Sequence, residues 1–295
     1  MQSRAETSAV IALVRLGTRG WSECAELVEA TGSALAALDD ELEQIACALT
    51  LFGDEARAPD LDTIAEEIEA WESKGMRLVT VLDAAYPENL RSVHDRPPFV
   101  FVAGRIEAGD ARSVAVVGTR RASADGLDQA RVIASHLVAA DYTVVSGLAA
   151  GIDAAAHQAA LDVGGRTVAV IGTGLRSAYP AQHADLRRRI AEQSAVVSQF
   201  WPDAPPTKRS FPMRNAVMSG FALATVVVEA SQTSGARMQA RFALAHGRPV
   251  FLLESLLSHK WAREFAGRPG THVVRSAREI TEIVDRLSSP DLLIA

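Results

Sequence analysis

Hydrophobic positions follow two different periods along the chain. Across residues 9–52, apolar side chains recur at helical spacing with turn signals between them, which predicts a cluster of short helices. A further helix is predicted from RAPDL (57–61) onward, because Ile64, Ile68 and Trp71 recur every three or four residues. The first part of the chain is therefore expected to be all helical.

From residue 77 the period changes to that of buried strands. Runs rich in valine and other apolar residues alternate with helix-length segments. These runs are RLVTVL (77–82), FVFVAG (99–104), SVAVVG (113–118), YTVVSG (142–147), RTVAVIG (166–172), AVVSQF (195–200), LATVVVEA (223–230) and RPVFLL (248–253). They predict an α/β protein with an extended Rossmann-like, doubly wound, mostly parallel sheet covered by helices on both sides.

The pattern divides the chain into three parts. A small all-α domain is expected over residues 1–76, lead-in strands that extend the sheet over 77–107, and the Rossmann-like domain over 108–295. Charge follows a similar division, because residues 1–78 carry 16 acidic and six basic side chains, whereas the remainder carries 20 acidic and 24 basic ones. The body of the protein is thus mildly basic, which is compatible with a local cationic groove.

Glycine-bearing turns follow four of the predicted strands. They are GTRRAS (118–123), SGLAAGID (146–153), GTGLRSAYP (172–180) and ASQTSGAR (230–237). Strand-to-helix loops of such a sheet gather at its carboxyl edge, and glycine lets backbone N–H groups approach an anion at a helix N-terminus. One such turn equally fits a tight reversal of the chain, but four together predict a phosphate-binding rim.

A cationic segment with an aromatic residue precedes the run at 223–230. PPTKRSFPMRNAVMSG (205–220) carries Lys208, Arg209 and Arg214 around Phe211. Positive charge for phosphates and a ring for a base are what proteins use to bind single-stranded nucleic acid. The same residues also fit a solvated loop anchored by Phe211, so a position on the rim would favour the nucleic-acid interpretation.

Several other chemistries lack a sequence signal. The chain has no GxGxxG and no GxxxxGK[ST], so neither a dinucleotide cofactor nor a P-loop is expected. Cys24 and Cys47 form no CxxC pair, and the histidines show no HExxH spacing, so no metal site is expected. Asp153 and His157 are expected to be structural. With no export signal and no apolar run of about 18 residues, the predicted location is the cytoplasm.

Taken together, the motifs resemble the DprA/Smf family of bacterial DNA-processing proteins. The resemblance runs from YPENLRSVHDRPPFVFVAG (86–104) through the glycine turns and SFPMRN (210–215) to RPVFLL (248–253), in the family's order. It implies a protein that binds single-stranded DNA, forms a homodimer and delivers the strand to the RecA recombinase in natural transformation, without catalysing a reaction. Residues 1–76 similarly resemble the sterile-alpha-motif-like domain of many members.

The resemblance also implies which residues contact DNA. Those that match the family's phosphate-gripping G-S/T-R motif are Gly118, Thr119 and Arg120. Cationic and stacking contacts are implied for the F-P-x-R-N block and the segment just before it, namely Lys208, Phe211, Arg214 and Asn215. The other DNA-binding positions expected on the rim are Ser146, Gly147, Gly151, Gly172, Gly174, Ser234 and Gly235.

The sequence departs from the family at some positions, and other function classes stay open. Ala150 stands where members commonly carry a lysine, and the family's P-G stretch is largely absent after Leu253. A Rossmann-like nucleotide sensor or nucleoside-phosphate enzyme would use the same rim, with Glu229 available as an acid or base. A purely structural dimerisation module would leave the rim without a ligand.

Overall fold

The computed structural model describes residues 3–50 and 59–288, and the side chains of 3–47 and 59–288. The predicted helical positions at 51–52 and 57–58 lie outside this part of the chain. The N-terminal helices are α1 (Arg4–Leu16), α2 (Trp21–Thr31), α3 (Ala34–Thr50) and α4 (Leu61–Glu72), and they confirm the expected helical region.

Local sequence signals fix the ends of these helices. The Ser3 hydroxyl accepts a hydrogen bond from the backbone N–H of Glu6 at the start of α1, and Gly17, with φ of 68°, ends that helix. At the start of α4 the carboxylate of Asp60 accepts from the N–H groups of Asp62 and Thr63. These caps satisfy backbone donors that have no partner inside the helix.

Within the described residues, nine strands form one sheet. They are β1 (Arg77–Thr80), β2 (Phe99–Gly104), β3 (Ser113–Val117), β4 (Thr143–Ser146), β5 (Thr167–Val170), β6 (Ala195–Ser198), β7 (Ala224–Val227), β8 (Val250–Leu253) and β9 (Thr271–Val274), in the order β1-β2-β6-β5-β4-β3-β7-β8-β9. The seven strands from β6 to β9 are parallel, whereas β2 pairs antiparallel with both β1 and β6. The predicted extended, mostly parallel sheet is therefore confirmed.

The remaining α-helices connect these strands, except the last, which follows β9. They are α5 (Glu88–Arg91), α6 (Ala124–Ala139), α7 (Ile152–Asp162), α8 (Ala184–Gln193), α9 (Ser210–Phe221), α10 (Gly235–Ala245), α11 (Lys260–Ala266) and α12 (Ala277–Ser288). The chain runs outward from β3 to β6 in one direction and from β7 to β9 in the other. Because the direction reverses between β3 and β7, the loops after these two strands diverge and open a crevice at the carboxyl edge.

Apolar side chains cover both faces of the sheet. On one face α6, α7 and α12 pack around Ile133, Ile152 and Ile280. On the other face α9, α10 and α11 share a cluster with the N-terminal helices, as shown by the membership of Val10 and Trp261 in one core. Burial on both faces explains why β3, SVAVV, is continuously apolar.

Across residues 3–50 and 59–288, no helix combines the length and apolar character needed to cross a bilayer.

Candidate functional site

The loops after the central strands meet in one cleft at the carboxyl edge of the sheet. This rim cleft has a volume of about 430 Å³, and its walls come from the β3 and β7 loops, α9 and the first turns of α10. A smaller cavity of about 160 Å³ adjoins it on the side of β4 and β5. Arg120, Ala149, Phe211 and Arg214 line both spaces, so they form the wall between them.

Two residues of this wall, Arg120 and Phe211, lie beside Tyr179, which lines the smaller cavity. The guanidinium carbon of Arg120 lies 5.2 Å from the centroid of the Phe211 ring. On the other side, the ring of Tyr179 lies 5.7 Å from that of Phe211, with 48° between the planes. Arg120 is exposed, Phe211 is half-buried and Tyr179 is 40% exposed. An exposed cation beside two rings can contact a phosphate while the rings stack on an unpaired base.

Tyr179 was not identified as a candidate residue from the sequence. It lies in the loop after β5, within the GTGLRSAYP turn, where the pattern indicates only a glycine-bearing reversal. Its proximity to Phe211 depends on how the β5 loop meets the N-terminus of α9. The one sequence signal that could have found it is an aromatic residue in a loop already placed on the rim.

Arg214 lies beneath the rim rather than on it. Its side chain is 6% exposed, and Nη1 donates a hydrogen bond of 3.1 Å to the carbonyl oxygen of Val170 at the end of β5. Burial lowers the pKa of the Arg214 guanidinium, and the charge of Asp153 opposes that effect. Arg214 therefore contributes positive charge from the floor of the cleft instead of reaching out as the expected surface contact.

The missing side chain of Gly147 makes room for this guanidinium. A Cβ atom on Gly147 would lie 1.4 Å from Nη1 of Arg214. The Gly147 N–H donates to the carboxylate of Asp153 at 3.1 Å, and that of Ala149 donates to the same oxygen at 3.4 Å. The space left by the missing side chain of Gly147 is thus filled by Arg214, whereas the sequence pattern predicts the approach of a phosphate at this turn.

Gly151 lacks a side chain for reasons of both backbone conformation and space. Its φ is +78°, and a Cβ atom would lie 2.3 Å from the carbonyl oxygen of Thr119 in the neighbouring loop. The N–H of Ile152 donates to that same oxygen at 3.3 Å. The loops after β3 and β4 are therefore locked together, which holds Arg120 at the mouth of the cleft.

Asp153 and His157 have the contacts of structural residues. Burial raises the pKa of the Asp153 carboxyl, although Arg214 and backbone N–H groups oppose this. His157 is fully buried, its Nδ1 lies 2.7 Å from the Thr167 hydroxyl, and burial lowers its pKa to about 3. His157 does not reach the cleft, and Asp153 lines its floor with the carboxylate bonded to backbone N–H groups, so both have the contacts of the structural role expected from the sequence.

The other predicted residues divide into buried and accessible positions. The Ser146 hydroxyl is fully buried and donates to the carbonyl oxygen of Val116, so it does not face the rim. Glycines whose missing Cβ is replaced by neighbouring protein atoms are Gly118 (Ile152), Gly172 (Phe211) and Gly174 (Trp201 and Pro202). Residues that line the rim cleft are Gly118, Thr119, Asn215, Ser234 and Gly235. Lys208 is exposed in the turn before α9 and does not line the cleft.

The N-terminus of α6, which follows the first strand of the parallel block, holds a side chain of the protein. The carboxylate of Glu229, at the end of β7, accepts hydrogen bonds from the backbone N–H of Ser123 at 3.0 Å and from its hydroxyl at 2.8 Å. Helix N-termini favour anions, and this position commonly binds phosphate in nucleotide-binding members of the fold. Here Glu229 provides the anion, so it is a cap for α6 and not a free acid or base.

A group of side chains away from the rim cleft could hold a metal. His94, Asp95 and His246 bring one ligand atom each to within 4.8 Å of one another, although the spacing of the histidines predicted no such site.

The chain is similar to known proteins in both sequence and structure. A family model described as DNA recombination-mediator protein A matches residues 77–285. Protein Smf of Escherichia coli (strain K12) is 43% identical over 169 residues, which cover 57% of this chain and 45% of that protein. This chain spans about half the length of the Smf relatives that it matches.

Two solved structures resemble the fold. The X-ray structure of DNA processing protein A from Streptococcus pneumoniae has a TM-score of 0.68 and 26% identity, and the match covers 95% of both chains. DNA processing protein A from Helicobacter pylori, solved in work on its single-stranded DNA binding mode, has a TM-score of 0.63 and 23% identity over 71% of this chain and 96% of that one. The second likeness shows that the two proteins share a fold.

Proposed function

This chain belongs to the DNA recombination-mediator protein A family, as its sequence motifs indicate, and from that premise we propose that its rim cleft binds single-stranded DNA. One observation carries the proposal, namely the arrangement of Arg120 and Phe211 on the wall of the rim cleft, beside Tyr179 of the adjoining cavity. Stacking on both rings needs bases that are not paired, which favours a single strand over a duplex.

Electrostatics support a polyanionic ligand. Arg120 provides exposed charge at the mouth, Arg214 provides buried charge in the floor, and the exposed Lys208 extends positive charge beyond the cleft. The Asp153 carboxylate reduces the net charge of the floor, but it is directed to the backbone N–H groups of the β4 loop. A strand that crosses the mouth therefore meets cations and rings before it meets a carboxylate.

The proposed cellular role follows from the family and goes beyond the cleft. We expect the protein to act in the cytoplasm, without catalysing a reaction, as a homodimer that delivers the bound strand to the RecA recombinase. The absence of catalysis is supported by Glu229 and His157, because the first caps α6 and the second is buried inside the fold. The same cap on α6 disfavours a nucleotide sensor or a nucleoside-phosphate enzyme, because it fills the position at which such ligands place phosphate.

The proposal is tested by fluorescence anisotropy of a labelled oligo-dT titrated with protein between about 50 and 200 mM salt. Arg120→Ala is expected to weaken binding by about 1–3 kcal/mol, the range for hydrogen bonds to charged groups, and to lower the salt slope by about 0.7. Arg278→Ala is the matched control, because Arg278 is an exposed arginine on α12 that pairs with Glu282.

Two results would contradict the proposal in different ways. Equal binding by wild type and Arg120→Ala would remove Arg120 from the interface. A duplex of the same length that competes as well as the single strand would show that the rings do not stack on bases. RecA delivery is then assayed separately, as faster RecA filament formation on the protein-bound oligonucleotide than on one coated with single-strand-binding protein.

A further inference from the structure

Three side chains that the proposed function does not use converge on the far end of α10. His94 and Asp95 lie in the segment that joins α5 to β2, and His246 follows the last residue of α10. The Nε2 atom of His246 lies 2.8 Å from Oδ1 of Asp95, and the His94 and His246 ring centroids are 5.5 Å apart. The ligand atoms of all three residues lie within 4.8 Å of one another.

Each ring nitrogen of His246 has one oxygen partner. Nδ1 lies 2.8 Å from the Ser219 hydroxyl, which is also 3.0 Å from the carbonyl oxygen of Ala216. Nε2 lies 2.8 Å from Oδ1 of Asp95. In the tautomer with its hydrogen on Nδ1, the ring would direct the Nε2 lone pair toward Asp95, where a metal cation could bind between the two groups.

This arrangement has the features of a histidine prepared for a metal. Metal-binding histidines usually donate their second ring N–H to an oxygen, which orients the ring, and the Ser219 hydroxyl lies where it could accept that N–H. Asp95 brings a carboxylate oxygen to the same place, a ligand type that zinc also accepts.

The site is also accessible. The His246 side chain is fully buried, whereas Asp95 is one-third exposed and His94 is exposed. Asp95 further lines an open cavity of about 290 Å³ together with Phe242, one turn before His246 on α10. A cation can therefore enter from solvent and keep a water ligand on the open side.

We propose that His94, Asp95 and His246 bind one Zn²⁺ ion, with water at the fourth position. Two imidazoles and one carboxylate are ligands that zinc accepts. Ligand atoms around a tetrahedral zinc are ~3.3 Å apart for metal–ligand distances of about 2.05 Å. The His246–Asp95 pair would open by about 0.5 Å to reach that separation, and the exposed His94 would rotate inward.

Zinc at this position would join two distant parts of the chain. It would attach the segment that enters β2 to the C-terminal end of α10, whose first residues, Ser234 to Ala236, line the rim cleft at the other end. Because the three ligands come together only in the folded chain, zinc would bind the native state and stabilise it.

The test is a zinc titration of the full chain after treatment with EDTA, against a chromogenic competing chelator. One zinc per chain is expected for wild type. His94→Gln should weaken binding at least tenfold, because loss of even an outer partner of a metal ligand costs about 10–100-fold. His94 is exposed, so this variant is expected to fold. His246→Gln should weaken binding as strongly, and His259→Gln, at an exposed histidine on the surface, should bind as wild type does.

Thermal unfolding with and without zinc gives an independent readout. Zinc should raise the melting temperature of wild type and His259→Gln by the same amount and that of His94→Gln by less. Absence of zinc binding by wild type would overturn the proposal and would mean that a proton lies between His246 and Asp95. Equal zinc affinity of His94→Gln and wild type would overturn it as well, because the metal would then be bound elsewhere.

Discussion

The Cα of Gly147 lies against the guanidinium of Arg214, and this contact determines much of the rim. Arg214 reaches under the β4 loop from α9 and donates to Val170 on β5. The charged guanidinium of Arg214 can occupy this buried position because Asp153 lies nearby and the Val170 carbonyl oxygen accepts a hydrogen bond from the guanidinium. A glycine at 147 is therefore required by packing against a residue from a distant element.

We expect Gly147→Ala to destabilise the protein by about 1–3 kcal/mol, the usual effect of forcing extra atoms into a packed site. The new Cβ would lie 1.4 Å from Nη1, so either the guanidinium or the loop must move. Urea denaturation followed by circular dichroism measures the change. Gly235→Ala is the control, because a Cβ there meets no atom within 4 Å and the position begins α10. Equal stability of Gly147→Ala and wild type would contradict this explanation of the glycine.

The same residues show what sequence could predict about the site. The glycine turns and the loop position of Arg120 followed from local patterns, because strand ends and glycine are local signals, whereas Phe211 lies in the first turn of α9. The atoms that fill the space at each glycine could not be predicted, since Arg214 and Tyr179 reach the rim only through tertiary packing. For this reason the sequence placed Arg214 on the surface although it is buried.

At the scale of elements, the N-terminus of α6 is capped by the carboxylate of Glu229, which follows β7 and takes the position where a bound anion would lie. The charge of Glu229 interacts favourably with the helix N-terminus, and the Ser123 hydroxyl both donates to Glu229 and accepts from the N–H of Gly126. A Cβ on Gly126 would lie 1.9 Å from the Glu229 carboxylate, so the first turn of α6 is shaped around this group. The hydrogen bonds of the cap also join the loops after β3 and β7, the two strands on either side of the crevice.

Glu229→Gln should lower the free energy of unfolding by about 1 kcal/mol, the usual contribution of a helix cap and its charge. The variant keeps one amide oxygen as an acceptor but loses the negative charge. Chemical denaturation measures the difference, and Glu282→Gln on the exposed surface of α12 serves as the control for removing a carboxylate. A loss no greater than that of the control would show that Glu229 does not stabilise α6.

Strands also differed in how well the sequence predicted them. The central strands are buried on both faces, so a continuous apolar run identified each of them. β9, with the sequence THVV, was not among the predicted strands, and only its last residue is fully buried. It lies at the edge of the sheet beside β8, where one side needs no apolar partner and the pattern is weak.

At the scale of the whole molecule, the N-terminal helices and the sheet share one core. The ring centroids of Trp21 on α2 and Phe99 on β2 are 5.2 Å apart. Those of Trp71 on α4 and Phe101 on the same strand are 5.1 Å apart. Glu29 on α2 forms ion pairs with Arg91 and Arg96. The acidic helices are thus attached to the lead-in strands by aromatic contacts, and to the segment between those strands by ion pairs with arginines.

This shared core predicts that the helices and the sheet unfold together, although the sequence pattern changes near residue 76. Trp71→Ala removes a half-buried ring that contacts Phe101 and also lies 6.2 Å from Trp201 in the loop after β6. We expect a loss of about 2–3 kcal/mol, below the range for a fully buried tryptophan, and one cooperative transition at lower denaturant concentration.

Circular dichroism at 222 nm and the fluorescence of the remaining tryptophans should report the same midpoint for Trp71→Ala, because both report on one core. Leu287→Ala on the exposed side of α12 is the control, and its midpoint should match that of wild type. Two separate transitions in Trp71→Ala, with helical signal lost before the fluorescence change, would show instead that the helices fold as an independent domain. In that case the single-stranded DNA binding proposed for the rim cleft would persist after the helices had melted, whereas a single core predicts that any such binding and the helical structure are lost at the same denaturant concentration.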